Sequence, residues 1–558
     1  MMRVLLILAL AAVAVSCAKP EPAEYYGTLE PFASEAVYFL ITDRFVDGDP
    51  SNNFPEQGGG AETRTFDRPF QVPGYAQANI GYLGGDFKGV LSNADHIADM
   101  GFTAIWTTPI VDNPDEAFTG SKVPGKGPGG DRGKTGFHGY WGVNFFEVDE
   151  HLESPDLTFA DFTRELSEQH ELKYVLDVVC NHGSPAYTMP EDQPMFGELY
   201  DAAGKRVADH ENLHPSDLDP DNPMHAFYNR KPGLGELSDL NENNTDVLEY
   251  FVAAYSQWLD QGVAAFRIDT IAHMPHAYWK SFSDRIRQKS PGLFMFSENF
   301  DYDAADIAPN TWPENGRISV LDFPGKDAMN QVFADGGSYS ELSAYLHLDS
   351  GLYDNPYNLM TFYDNHDMDR IDADTNGFID ANNWLFTSRG IPVVYYGSEV
   401  GFQAGTNEHT GNRNYFGQDN VDRAKSHPIH TALSRIANVR KNSVALQRGL
   451  QVYSRFGPRS ASFFRVYQKD GVSQTALVLL NGGDEAALMK FGQLPANGAW
   501  EDAVTGHIVQ VDDDFAGLAE EIAPHSIRVY LSDAPITHPG FMELLDEAQA
   551  AKARRKTP

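Results

Sequence analysis

The stretch "GVAAFRIDT", residues 262–270, places an arginine and an aspartate in an otherwise apolar run. Residues i and i+2 of an extended strand point to the same side, so Arg267 and Asp269 are expected side by side at the end of a buried strand. A guanidinium there favours the ionised form of the carboxylate. An isolated pair of this kind is explained equally well as a structural ion pair. Whether it takes part in chemistry depends on which other polar residues lie beside it.

Seven other short apolar runs alternate with helical patterns such as "TFADFTRELSEQHE" and "TDVLEYFVAAYSQWLDQG". The runs are "AVYFLITDRF" (36–45), "FTAIWTTP" (102–109), "KYVLDVVCNH" (173–182), "LFMFSEN" (293–299), "RISVLDFP" (317–324), "LMTFYDNHD" (359–367) and "IPVVYYGSE" (391–399). Eight strand–helix units predict an α/β fold, a (β/α)8 TIM barrel, whose active site gathers at the C-terminal strand ends.

The segments around these units predict further domains. The barrel is expected at 33–182 and 244–447, and the connection after strand three is long enough for an excursion domain at 183–243. Alternating strand patterns such as "TALVLLNGG" predict a C-terminal antiparallel β-sandwich at 448–535. A tail at 536–558, with the stretch "FMELLDEAQAAKARRK", predicts a short exposed helix. The Gly/Lys-rich stretch at 119–136 predicts a surface loop.

The first residues, "MMRVLLILALAAVAVSC" (1–17), predict an export signal whose apolar run is short for a membrane span. "AVSC" resembles a bacterial lipobox, with Cys17 as the acylated first residue, although ordinary cleavage after Ala18 is the alternative. Residues 18–32 predict a linker. The expected location is the outer membrane, as a lipoprotein, or the periplasm or exterior of a Gram-negative bacterium, with membrane contact only through the lipid.

Composition restricts the partners. Hydrophobic residues make up 42% of the 558-residue chain and aromatic residues 12%, which is typical of a packed globular protein. The net charge of −37 repels polyanions and excludes nucleic acid, whereas a neutral substrate is unaffected. If Cys17 is acylated or removed, Cys180 has no disulfide partner, and its apolar surroundings predict core packing. We expect a monomer.

Polar side chains cluster at the ends of four predicted strands. They are Asp177, Asn181 and His182; Arg267 and Asp269; Glu298; and Asn365, His366 and Asp367. Such a set suits acetal cleavage with retention, in which one carboxylate is the nucleophile and a protonated second one, roughly 5 Å away, is the general acid and base. Arg267 would keep Asp269 ionised, and the apolar "LFMF" before Glu298 would raise the pKa of that carboxyl.

These segments resemble the α-amylase superfamily of glycoside hydrolases over nearly the whole mature chain. "DVVCNH", "FRIDTIAH", "FSEN" and "FYDNHD" are similar to its four conserved regions, and "LSDLN", "GFTAIWTTP" and "GIPVVYYGSE" to its accessory regions. The resemblance implies Asp269 as nucleophile, Glu298 as acid/base and Asp367 as a third, substrate-binding carboxylate. It further implies sugar contacts from Arg267, His182, His366, Tyr140, Trp141 and Phe300. Ala265 departs from the usual glycine by a methyl group.

Calcium is implied at two places. The loop "DGDPSNN" and the following "GGD" resemble a calcium site of cyclodextrin glucanotransferases, with the ligands Asp47, Asp49, Asn52, Asn53, Gly84 and Asp86. Such oxygen ligands suit Ca²⁺, although a solvated Asx-turn loop is the alternative. The second site, general in the superfamily, would use Asn181, Asp239 and the His273 carbonyl.

Within the superfamily, the resemblance is nearest to the cyclodextrin glucanotransferase and maltogenic amylase branch. Those transferases carry a mid-cleft aromatic residue where this chain has Gly235, and Ala272 replaces an acceptor-side lysine. Phe300 matches a transferase acceptor aromatic. One β domain follows the barrel, without the transferases' extra domains. We therefore expect an α-glucan hydrolase. A glucanotransferase is the alternative, and a non-catalytic glucan-binding lipoprotein, which should have lost a carboxylate, is a minor one.

Overall fold

Eight parallel strands form the central sheet of the computed structural model, which describes residues 23–69, 78–120 and 131–552. The strands are β1 (Val37–Leu40), β2 (Ala104–Thr107), β3 (Lys173–Val178), β4 (Val263–Ile268), β5 (Phe294–Ser297), β6 (Ser319–Val320), β7 (Met360–Thr361) and β8 (Ile391–Tyr395). Their order is β6-β5-β4-β3-β2-β1-β8-β7, and a parallel bridge between Leu321 and Met360 joins the two edges. The predicted TIM barrel is confirmed.

Helices connect the barrel strands, and the last helix packs on the C-terminal domain instead. They are α1 (Thr42–Phe45), α2 (Phe87–Ser92), α3 (Ala94–Asp99), α4 (Phe159–His170), α5 (Thr245–Leu259), α6 (His276–Lys289), α7 (Ala304–Ile307), α8 (Phe323–Phe333), α9 (Thr375–Leu385), α10 (Gln418–Ala424), α11 (Pro428–Lys441), α12 (Val444–Arg448) and α13 (Pro539–Lys552). A capping box between Thr158 and Asp161 begins α4, because both side chains accept from backbone N–H groups that have no helical partner.

The connection between β3 and α5 contains short antiparallel pairs. His182–Pro185 pairs with Leu237–Asp239, and Glu198–Tyr200 pairs with Arg206–Asp209. The first pair starts directly after β3, so it keeps His182 at the barrel mouth while the chain makes its excursion. A further antiparallel pair joins Val111–Asp112 to Asn144–Val148.

A second, antiparallel layer follows α12. Its strands are β9 (Leu450–Phe456), β10 (Ser460–Lys469), β11 (Val472–Asn481), β12 (Ala487–Phe491), β13 (Gly498–Asp502), β14 (Ile508–Val511), β15 (Leu518–Ile522) and β16 (Ser526–Ser532). Six form the sheet β9-β10-β11-β16-β13-β14, and β12 pairs with β15. The helix predicted as exposed, α13, has Phe541 and Leu545 buried in the core of this domain. The helix is therefore not exposed as predicted, because its apolar residues lie on one face and pack against the β domain.

Residues near the N-terminus also pack on the β domain. Tyr25 is buried, and its backbone exchanges two hydrogen bonds with Gln468 of β10, at 2.8 and 2.7 Å. Within 23–69, 78–120 and 131–552, no helix is long and apolar enough to cross a membrane. The predicted signal at 1–17 with Cys17, the start of the linker, most of the 119–136 loop and the last tail residues lie outside the described ranges.

Candidate active site

A cleft of about 570 Å³ opens at the C-terminal ends of the barrel strands. Its lining includes most of the predicted substrate-contacting residues: Tyr140, Trp141, His182, Asp269, Glu298, Phe300 and Asp367. The three carboxylates come from loops after β4, β5 and β7, which are distant in sequence but meet because all parallel strands point the same way.

Arg267 organises the floor of this cleft. The side chain is fully buried at the end of β4, and its Nη1 donates to Asp269 Oδ1 at 2.8 Å and to Asp177 Oδ1 at 2.9 Å. Its Nη2 donates to Glu298 Oε2 at 2.8 Å. Asp177, at the end of β3, is fixed in turn by Trp106 Nε1 at 3.0 Å. One guanidinium therefore connects three buried carboxylates.

The two carboxylates nearest this arginine have opposite pKa shifts. Burial alone would raise the pKa of Asp269, but the charges of Arg267 and His182 outweigh it and hold that pKa below its usual value. Burial dominates at Glu298 and raises its pKa well above the usual range, assisted by the charge of Asp367 and opposed by Arg267. The pair therefore combines one carboxyl group that favours the ionised form, Asp269, with one that favours the protonated form, Glu298.

Asp367 is held by a residue that sequence reasoning missed. Arg413, in the loop after β8, donates from Nη2 to Asp367 Oδ1 at 2.5 Å and from Nε to the His366 carbonyl at 3.0 Å. No local pattern marks this arginine, since it lies 46 residues beyond its partner. Burial raises the pKa of Asp367 despite that cation.

His366 has ring nitrogens that can hydrogen-bond to a polar ligand. The ring is buried, and neither ring nitrogen has a hydrogen-bond partner within the described residues, although Nε2 lies 3.1 Å from Asp367 Oδ2. Burial lowers its pKa well below the usual value, so the ring is neutral and offers one donor and one acceptor. Unpaired buried nitrogens are costly unless a ligand satisfies them.

The predicted aromatic contacts differ in exposure. Tyr140 donates its hydroxyl to Asp177 Oδ2 at 2.9 Å, and its ring stacks 5.4 Å from His366, so one face is covered. Trp141 touches the cleft, but most of its ring is buried in a cluster with Phe118, Met189 and Phe196. Phe300, in contrast, is 53% exposed.

Most side chains of the first predicted cation site lie together, whereas the Asp49 carboxylate accepts from Ser51 Oγ at 2.6 Å and from Lys88 Nζ at 3.2 Å. Asp86 accepts from the backbone N–H of Asp49 at 2.7 Å, and Asn53 Nδ2 donates to Asp47 Oδ2 at 2.9 Å. The Oδ1 atoms of Asp47, Asn52 and Asn53 are buried and accept no hydrogen bond from any described residue. Gly84 is required beside them, because a Cβ there would lie 2.4 Å from Asn53 Oδ1. Oxygen atoms without donors, gathered in one place, fit a hard cation.

The residues of the second predicted cation site are also neighbours. Asn181 is buried, and its carbonyl accepts from Leu240 N–H at 2.9 Å, while Asp239 pairs in register with His182. Asp239 Oδ2 accepts from Asn229 at 2.9 Å. Burial raises the pKa of Asp239, and the nearby His273 opposes this. A Cβ on Gly233 would lie 2.4 Å from Asp239 Oδ1, so Gly233 leaves room at that oxygen.

A third acidic group was not singled out from the sequence. Ligand atoms of Asp149, Glu150 and His151 lie within 4.8 Å of one another. His151 Nδ1 is 2.8 Å from Asp149 Oδ1, its ring stacks 3.7 Å from Tyr82, and the Tyr82 hydroxyl donates to Asp149 at 2.9 Å. Contacts inside the protein explain this group.

Comparison with known proteins gives concordant matches. Residues 39–444 match the family described as "Alpha amylase, catalytic domain". The chain is 28% identical to a cyclomaltodextrin glucanotransferase of Klebsiella oxytoca, over 88% of this chain and 76% of that protein. It is 31% identical to an α-amylase of Niallia circulans, over 80% and 81% of the two chains.

A solved structure covers nearly the same extent. A cyclomaltodextrin glucanotransferase described as the first with a three-domain ABC distribution superimposes with a TM-score of 0.71 and 27% identity, over 89% of this chain and 99% of that one. The barrel, the carboxylates at its mouth and these matches agree: the chain belongs to the α-amylase family, with cyclomaltodextrin glucanotransferases and α-amylases among its relatives.

Proposed function

We propose that this protein is a retaining α-glycoside hydrolase that cleaves the α-1,4-glucosidic bonds of starch, glycogen or maltooligosaccharides. The observation that carries the proposal is the attachment of Asp269 and Glu298 to one guanidinium, each at 2.8 Å, with opposite pKa shifts. Neighbouring nitrogens of one side chain keep the two carboxyl groups close, as a retaining mechanism needs.

Each carboxyl group has one role in the proposed reaction. Glu298 gives its proton to the glycosidic oxygen while Asp269 attacks the anomeric carbon, so the C–O bond breaks and a glycosyl–Asp269 ester forms. Glu298 then removes a proton from water, which attacks the same carbon and releases the sugar with its α configuration. Asp367 and neutral His366 would hold hydroxyl groups of the reacting sugar, with Arg413 orienting Asp367.

Calcium is part of the proposal as a structural ion. Asp47, Asp49, Asn52, Asn53, Gly84 and Asp86 would hold one ion, and Asn181, Asp239 and the His273 carbonyl a second. Bound calcium would neutralise carboxylates and satisfy the unpaired oxygens, which stabilises the folded protein. The second ion would connect the excursion after β3 to the barrel.

Glucanotransfer is the second candidate, and two observations favour it. Phe300 is exposed in the cleft, where it can hold an acceptor sugar, and Leu234 beside Gly235 is also exposed there. In the sequence, the single β domain after the barrel argues against a transferase. That argument is weakened, because the matched transferase is described with three domains and the match spans 89% of this chain and 99% of that one. The non-catalytic binder is not favoured, since the cleft contains all three carboxylates.

One digestion distinguishes the two activities. Purified protein is incubated with soluble starch, and separately with α-cyclodextrin, and products are resolved over time by chromatography and their anomers by NMR. We expect linear maltooligosaccharides of α configuration from starch. Cyclodextrins as the major early product would replace hydrolase with transferase, and β-anomeric products would refute retention.

Export and lipid attachment remain part of the proposal, resting on the sequence of residues 1–17. A Cys17→Ser variant expressed in a Gram-negative host should lose incorporation of labelled fatty acid. Incorporation that is unchanged in this variant, or absent from the unsubstituted protein, would refute the anchor.

A further inference from the structure

We propose that Tyr302 and Lys326 form an additional sugar-binding position beyond Phe300, which takes the third glucosyl unit of the leaving or accepting chain. This inference rests on the proposed function. It concerns the loop after β5, which continues from Glu298 past the cleft, and the first turn of α8. No sequence motif singled out either residue.

Two aromatic rings on this loop are exposed next to each other. Phe300 is 53% and Tyr302 43% exposed, and their centroids lie 6.1 Å apart. Both rings rest on the fully buried Phe323, at 4.9 Å from Phe300 and 5.8 Å from Tyr302. Adjacent exposed rings are unfavourable in water, and a rigid support keeps them exposed, which is a property of binding surfaces.

The path from the reacting bond to Tyr302 is continuous. Phe300 lines the cleft together with Glu298, whereas Tyr302 lies outside the cleft lining and extends the surface beyond it. Glu298 would protonate the oxygen of the leaving sugar, so the loop that continues from it borders the leaving and accepting side. A glucan on this side would pass Phe300 first and Tyr302 next.

Lys326 supplies a polar group at the same position. Its ammonium lies 5.8 Å from the Tyr302 ring centroid and forms no hydrogen bond or ion pair with a residue in the described ranges. Asp327, the next residue of α8, lies close enough to add to the pKa increase that burial causes at the Tyr302 hydroxyl. A glucosyl unit offers both matching surfaces, since its C–H face packs on a ring and its hydroxyls accept from an ammonium.

The test measures which bond is cleaved in maltoheptaose labelled at its reducing end. The labelled fragment contains as many sugars as occupy the leaving side, so the ratio of labelled trisaccharide to labelled disaccharide reports the third position. Tyr302→Ala should lower this ratio about 3- to 10-fold, the range expected for one aromatic contact. Tyr302→Phe should preserve the ratio, because it keeps the ring.

Tyr453→Ala is the matched control, since Tyr453 is 40% exposed but lies on β9 of the C-terminal domain. It should leave the ratio unchanged. An unchanged ratio in Tyr302→Ala, in a protein that cleaves the substrate, would overturn this inference and leave the proposed function intact. Failure of the unsubstituted protein to act on any α-1,4-glucan would instead overturn the proposed function, and this inference with it.

Discussion

Asp269 and Glu298 are bound to different nitrogens of the same guanidinium, each at 2.8 Å. A single cation thus contacts two carboxyl groups, yet it lowers the pKa of Asp269 below the usual value while burial keeps that of Glu298 raised. The two pKa values shift in opposite directions because His182 adds to the lowering at Asp269, whereas the negative charge of Asp367 adds to the raising at Glu298.

Loss of either carboxyl group should remove most activity. Asp269→Asn abolishes the nucleophile and Glu298→Gln the proton donor, so each variant should lose more than about 10³-fold in kcat on starch. Initial rates and thermal melting are measured together, because a folded inactive protein is required. Activity close to that of the unsubstituted protein in either variant would refute the assigned roles.

The pH profile of kcat/KM should be bell-shaped and wide. Asp269 acts only when ionised, and its lowered pKa places the acidic limb below the ordinary value of 3.8. Glu298 acts only when protonated, so activity is lost as pH rises through its raised pKa, which places the alkaline limb well above 4.5. The two limbs report the coupled pair rather than isolated residues.

An α-glycosyl fluoride substrate isolates the alkaline limb, because fluoride leaves without a proton donor. Glu298→Gln should cleave it, as observed by fluoride release in the first turnover, and the rate should no longer fall at high pH. A fall that persists in this variant would assign the alkaline limb to another group.

Removal of calcium should destabilise the protein. The unpaired oxygens of Asp47, Asn52 and Asn53 would lose their partner in excess chelator, so the melting temperature should fall and recover on adding calcium. Elemental analysis should find bound calcium. An unchanged melting curve together with no calcium would refute both sites.

A glycine substitution tests the first calcium site separately. Gly84→Ala adds a Cβ 2.4 Å from Asn53 Oδ1 at a φ of +91°, so it should abolish the calcium-dependent increase in melting temperature. Gly506→Ala is the matched control, because Gly506 has a φ of +76° with no atom within 4 Å. It carries only the backbone cost of roughly 1–2 kcal/mol and should keep the calcium response. An equal loss in both variants would contradict the site.

The mid-cleft position should control the ratio of transfer to hydrolysis. Gly235 has a φ of +60°, and no atom lies within 4 Å of the position that a Cβ would take, so Gly235→Tyr would place a ring there at a backbone cost of roughly 1–2 kcal/mol. Leu234, 41% exposed in the same cleft, offers a position outside the left-handed region. Leu234→Tyr should raise the transfer-to-hydrolysis ratio on starch, measured from total bonds cleaved and products exceeding the donor length. Leu234→Ala should lower this ratio. Equal ratios in Leu234→Tyr, Leu234→Ala and the unsubstituted protein would show that this side of the cleft does not control the access of water to the glycosyl intermediate.

The sequence was sufficient for the barrel and the three carboxylates. Each run is apolar at nearly every position, as expected for a strand that is buried on both faces of a parallel sheet. Parallel strands place their C-terminal ends at the same end of the barrel. Asp269, Glu298 and Asp367 could therefore be assigned to one site before any contact was known. The proposed calcium loop at 47–53 could be recognised because four of its predicted ligands lie within seven consecutive residues, whereas Gly84 and Asp86 are brought to it by the fold.

Only the tertiary structure revealed the partners contributed by distant loops. Arg413 reaches Asp367, Leu234 remains exposed beside Gly235, and Tyr302 rests on Phe323 without a local pattern that marks any of them. Trp141 lines the cleft as predicted for a sugar contact, while most of its ring packs against Phe118 and its neighbours. Strand periodicity is a property of consecutive residues, whereas these contacts depend on how loops fold back through space. The sequence therefore determines the site of the chemistry, and packing determines which side chains a glucan can contact.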